Sequence, residues 1–142
     1  MPPRLPELLF FTRVLPCPAT QGSKVDGLAS GVLLCSDLVH YSIAKAVGVL
    51  GIGTESVISV PTTADLKIDL TALAATVARL TGSGERILAI IAVAGTTEAG
   101  SFDEITPMAA LARKHNAWLH VDAAWGGGHI FGSKRLMDGV GA

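Results

Sequence analysis

The run Ile-Leu-Ala-Ile-Ile-Ala-Val at residues 87–93 constrains the fold more than any other stretch of this chain. It has the length of a strand, no polar face, and four β-branched residues among its seven. A segment like that must be covered on both sides, as strands of parallel sheets are. Patterns of helical period flank it. Upstream, Leu70, Leu73, Val77 and Leu80 share one face, Asp69 stands at the N-cap position, and the Gly-Ser-Gly at 82–84 predicts the stop. Downstream, Ser101 and Glu104 have the spacing of a capping box before a helix over 105–115.

The rest of the chain alternates in the same way. "GVLLCS" (31–36), "SVISV" (56–60) and "AWLHV" (117–121) predict strands, and "SIAKAVGVLG" (42–51) predicts a helix ending at glycine. The expected class is α/β, a mostly parallel sheet with flanking helices. Residues 1–30 are rich in Pro, Gly, Ser and Thr without a clear period, and are expected to form an irregular leader. The patterned part is 31–142.

Composition removes several function classes. A net charge of −1, with no basic cluster beyond two adjacent residues, argues against nucleic acid and anionic membrane surfaces. The longest apolar run, Ile87–Ala94, is far too short to span a bilayer. The N-terminal stretch carries one arginine before a short apolar patch broken by prolines, so no secretory signal is expected and the expected location is cytoplasmic. Charged residues make up only 16% against 49% hydrophobic, which fits a surface meant to be covered, by more of a larger α/β protein or by a partner subunit. Cys17 and Cys35 suggest neither a disulfide framework nor a zinc site. His40, His115, His120 and His129 have no tight ligand spacing, so no metal is expected, and there is no G-x-S-x-G elbow. His115 fits a solvated position in a last helical turn.

Parallel sheets bind ligands at the C-terminal ends of their strands. That directs attention to the loops after residues 36, 93 and 121, which carry His40, "AGTTEAGSFD" and Asp122. Two glycine-rich stretches compete and fail. "GIGTES" (51–56) sits at a helix end, where a C-cap and turn explain it better than a dinucleotide loop. "GGHIFGSK" (127–134) has Ser before Lys, the reverse of a phosphate loop. Asp122 alone reads first as a turn or cap acid, and second as the counter-ion of a cationic ring nitrogen. Ala123 and Ala124 leave space for a flat ligand, and Gly126–Gly128 allow a close backbone turn. Thr96 and Thr97 either satisfy their own turn or face that ligand. His40 either starts a helix or stacks on the ring opposite Ala124.

The strings "HYSIAKAVGVLGIGTESV" (40–57), "AVAGTTEAGSFDEI" (92–105) and "WLHVDAAWGGG" (118–128) resemble the group II pyridoxal-phosphate-dependent amino-acid decarboxylases. The resemblance runs over roughly residues 33–142 and implies part of a fold type I large domain binding pyridoxal 5′-phosphate. It implies that His40 stacks on the cofactor ring and assists proton transfer. Asp122 then pairs with the pyridine nitrogen, Ala124 packs on the other ring face, and Thr97, with Thr96 as a second candidate, lies near the ring. His120 has a supporting place. The implied reaction is decarboxylation of an amino acid, in a family that works as homodimers; the strings look most like the glutamate and cysteine-sulfinate branch.

The family's Schiff-base lysine follows the Val-Asp-Ala-Ala segment by a few tens of residues. Lys134 is too early and Lys45 is misplaced, and no phosphate-binding segment is recognisable in residues 1–39. The expectation is therefore a partial large domain, truncated before that lysine and inactive by itself. The alternatives are a non-catalytic subunit acting through dimerisation, or another fold type I enzyme such as an aminotransferase.

Overall fold

The computed structural model describes residues 30–132 and 134–140. Residues 1–29 of the expected leader, including Cys17, lie outside the described residues. The elements are β1 (Val32–Ser36), α1 (Ser42–Val49), β2 (Val57–Val60), α2 (Leu70–Gly82), β3 (Ile87–Val93), α3 (Ile105–Lys114) and β4 (Trp118–Asp122). The sheet order is β2-β1-β3-β4 and every pairing is parallel. The 87–93 run thus lies inside the sheet, buried at every position except Leu88.

Strand alternation divides the core between two faces. Leu34, Ile90 and Ala92 face α2 and α3, where Leu73, Val77, Ile105 and Met108 complete the larger cluster. Leu34, Leu73, Ile90, Ile105 and Met108 are each fully buried. Side chains of this kind stabilise by about 1.5–3 kcal/mol apiece when removed from water. Cys35, Ala89 and Ile91 face the other way into a smaller cluster with Val39, Ile43 and Val57. That second face is incompletely covered at β4, where Trp118 is 68% exposed. Burial, with Asp37 adding to it, pushes the Cys35 thiol up to about 11, so it stays protonated and unreactive at neutral pH.

The helix ends follow local chemistry. Asp69 caps α2 by accepting the N–H groups of Thr71 at 2.8 Å and Ala72 at 3.1 Å. The chain leaves α1 through Gly51 at φ +72°, with Gly51 N–H on Gly48 O at 3.0 Å and Ile52 N–H on Val47 O at 3.1 Å. This is a Schellman closure, so "GIGTES" is a helix end as expected. The capping box expected from Ser101 and Glu104 is not made. Glu104 holds the N-cap position without a side-chain bond. The Ser101 hydroxyl is taken by Leu66 O at 2.6 Å and by Thr96 Oγ1 at 2.9 Å. Pro107 falls in the first turn of α3, where a missing N–H costs nothing.

Asp103 is 5% exposed and ties the C-terminal edge of the sheet together. Its Oδ2 accepts Val93 N–H at 2.7 Å and its Oδ1 accepts Ile68 N–H at 2.8 Å. Its own N–H returns to Val93 O at 2.9 Å. Among the described residues no helix is long and apolar enough to cross a membrane, and no group of His, Cys, Asp and Glu could hold a metal ion.

Replacing Asp103 by Asn keeps one acceptor and turns an NH2 toward the other N–H donor. Urea denaturation is expected to show a loss of about 1–3 kcal/mol. Burial raises the Asp103 pKa above the usual carboxylate range, outweighing the two N–H donors and the nearby Lys67. A group bound more tightly to its proton in the folded chain favours folding below its unfolded pKa of roughly 3.9. That contribution fades as pH rises through the raised value, and the Asn variant should lack this part of the pH dependence.

Candidate active site

The C-terminal ends of β1, β3 and β4 meet around a concavity of about 120 Å3 lined by His40, Thr97, Asp122 and Ala124. Strand parity explains this convergence. Val121 and Ala123 pack toward the larger cluster, which turns Asp122 and Ala124 to the opposite face. On β3 and the loop that follows it, Ala92 and Ala94 also face the larger cluster, while Val93, Gly95 and Thr97 line the concavity.

Thr96 does not join them. It is 4% exposed, and its Oγ1 meets Ser101 Oγ at 2.9 Å and accepts Ser101 N–H at 3.2 Å. Its hydroxyl closes the 96–101 loop and is not part of the lining of the concavity. Of the two threonines, only Thr97 reaches the concavity. His120 is exposed on β4 and is not part of the lining.

His40 follows β1 and precedes α1. Its Nδ1 lies 2.9 Å from Ser42 Oγ and accepts Ser42 N–H at 3.4 Å. It therefore serves the start of the helix and lines the concavity at once. Asp122 likewise closes a small turn, its Oδ1 accepting Ala124 N–H at a long 3.3 Å. Its remaining lone pairs are free for a ligand as far as the described protein groups go. Leu38, Ser42, Val93, Gly95 and Trp125 complete the lining. Sequence reasoning did not single these out as site residues, although parity with Thr97 points to Gly95 and Val93.

The glycines after Asp122 differ in what they do. Gly126 N–H bonds Ala94 O at 2.9 Å. A Cβ on Gly126 would collide with Ala94 O and lie 2.6 Å from Phe102 Cζ. Gly95, at φ +91°, faces it from the loop after β3, and a Cβ there would lie 2.9 Å from Gly126 N. Gly128 has open space around it, and none of Gly126–Gly128 has a positive φ. The expectation that all three glycines serve the turn is corrected: only Gly126 is forced, and by packing under the β3 loop.

A larger concavity of about 300 Å3 lies at the start of α3, lined among others by Lys67, Glu104, Thr106, Arg135 and Asp138. It contains none of the site residues expected from the sequence.

Residues 16–138 match the family model of the pyridoxal-dependent decarboxylase conserved domain. The chain belongs to that family. The match begins at residue 16, inside the segment expected to be a leader. L-2,4-diaminobutyrate decarboxylase of Rhizobium meliloti strain 1021 is 40% identical over 110 residues, 78% of this chain and 22% of its own length. The glutamate decarboxylase domain of a diaminobutyrate-pyruvate transaminase and L-2,4-diaminobutyrate decarboxylase from Vibrio parahaemolyticus superposes with TM-score 0.75 at 34% identity, over 78% of this chain and 24% of that one. An Oryza sativa TDC structure with PLP and tryptamine gives TM-score 0.75 at 28% identity, over 82% and 25%. The fold is therefore the fold type I one expected, and the chain spans about a quarter or less of the length of these relatives.

Gly126→Ala should lower stability by about 1–3 kcal/mol through overpacking. Gly128→Ala should stay within about 0.5 kcal/mol of the parent. Paired urea melts of the two variants check this.

Proposed function

We propose that this chain supplies the ring-binding half of a pyridoxal 5′-phosphate site in an amino-acid decarboxylase. The observation that carries the reading is the convergence of His40, Thr97, Asp122 and Ala124 on one concavity at the C-terminal sheet edge. Membership of the decarboxylase family supports decarboxylation over the transamination alternative. The substrate is an amino acid, and the working location is the cytoplasm.

The residues fit the ring of the cofactor and not the whole of it. Clefts for drug-sized ligands run to roughly 300–1,000 Å3, whereas this concavity of about 120 Å3 suits a single ring with small substituents. Asp122 offers a carboxylate with spare acceptor capacity where a protonated ring nitrogen would sit. Ala124 offers a wall one methyl thick, and the His40 imidazole offers a second face. Among the described residues, the lining contains neither lysine nor arginine. Lys45 is engaged elsewhere, its Nζ 4.5 Å from the centroid of the Tyr41 ring. The covalent anchor and the phosphate contacts must come from other residues.

Bound here, pyridoxal phosphate would act as the electron sink for the bond to the departing carboxylate. Asp122 would hold the proton on the ring nitrogen, which keeps that sink strong. Ala124 and His40 would fix the ring plane between them, and Thr97 would border the ring edge. His40 would hold or move a proton on the substrate side.

A second reading, a non-catalytic subunit acting through self-association as a homodimer, draws on apolar surface. Trp118 at 68%, Val49 at 73% and Phe131 at 91% exposure are side chains of the kind that interfaces cover.

Titration with pyridoxine 5′-phosphate, which lacks the aldehyde and cannot react with stray lysines, tests the site. Asp122→Ala should weaken binding by about ten-fold or more, the scale of a charged hydrogen bond. Equal affinity in both proteins would count against the reading. The isolated chain should release no carbon dioxide from a panel of amino acids, and sustained release would contradict the assignment of the anchor to other residues.

A further inference from the structure

We propose that Ser42 is a positioning residue that sets the tautomer and orientation of His40, so that Nε2–H is the donor presented to the site. This deepens the reading of His40 given above and rests on it. Ser42 opens α1, so its N–H has no partner within the helix. That N–H points at His40 Nδ1 at 3.4 Å, and Ser42 Oγ lies 2.9 Å from the same atom. A backbone N–H can only donate, so this contact favours the tautomer in which Nδ1 offers its lone pair and the ring proton sits on Nε2. The serine hydroxyl then adds a second donor to the same lone pair.

The arrangement also fixes which way round the ring lies. A half-turn of the imidazole would place Cδ2 where Nδ1 now stands and lose both contacts. The Tyr41 ring, 4.1 Å away and tilted by 42°, restricts the imidazole from beside it, and the Lys45 ammonium sits over that tyrosine. Ser42 itself borders the concavity. With Nδ1 occupied, Nε2–H is the nitrogen left for a ligand. A donor at that point suits an acceptor such as the carboxylate of an amino acid.

Long-range 1H–15N correlation on the labelled chain, at a pH where the imidazole is neutral, reads the two ring nitrogens directly. No cofactor is present, so the outcome is independent of the Asp122 titration, which alone tests cofactor binding. The parent chain should show Nδ1 unprotonated and Nε2 protonated. Ser42→Ala, which keeps the backbone N–H, should raise the Nδ1–H fraction by roughly five-fold, the equilibrium factor of one neutral hydrogen bond. Ser42→Thr should restore the parent ratio. A serine that merely started the helix would leave that ratio unmoved. A proton on Nδ1 in the parent chain overturns the proposal even if the alanine variant does not fold, and an unchanged ratio in a folded Ser42→Ala overturns it as well.

Discussion

The Asp103 carboxylate carries the C-terminal edge of this sheet. It accepts one N–H from the last residue of β3 and one from Ile68, on the connection into α2. An ionisable side chain buried this deeply is costly unless its oxygens are met by donors, and these two backbone groups meet them. The loop leaving β3 is thereby held against the 62–68 segment, with Ser101 bonded to Leu66 as a second tie. Ala94 extends the hold to β4, its N–H on Asp122 O at 2.8 Å and its carbonyl on Gly126 N–H at 2.9 Å. Asp122 and Thr97 come together because both strand exits are fastened to β3.

Those ties divide labour between the two faces. Toward α2 and α3 the loops are closed by internal bonds, and Thr96, Ser101 and Phe102 are spent on structure. Toward α1 the same strand ends leave Thr97, Asp122 and Ala124 with little to hold. Phe102 shows the division well: it lies under Gly126 and meets the His129 ring edge-on at 5.2 Å. A polar group left with spare hydrogen-bonding capacity beside a concavity is where a ligand can be recognised.

Much of this was legible in the residues. The apolar run at 87–93 could only be an interior strand, and helical spacing with Asp69 located α2. The strand-end rule pointed to His40, the Thr96–Thr97 pair and Asp122 without separating the two threonines. What was hidden depended on contacts distant in sequence. Ser101 has the spacing of a capping residue, yet its hydroxyl is claimed by a carbonyl 35 positions away. Gly126, Gly127 and Gly128 look equivalent, and only the approach of Ala94 and Phe102 distinguishes the first. Thr96 and Thr97 look equivalent in sequence and are separated by contacts, the first bonded to Ser101 and the second lining the concavity.

The central claim is that the concavity between β1, β3 and β4 receives the cofactor ring. Amide chemical-shift mapping of the 15N-labelled chain during addition of pyridoxine 5′-phosphate tests it most directly. The account predicts the largest shifts at His40, Gly95, Thr97, Asp122 and Ala124. Shifts centred instead on Lys67, Thr106 and Arg135, around the larger concavity at the start of α3, would contradict it.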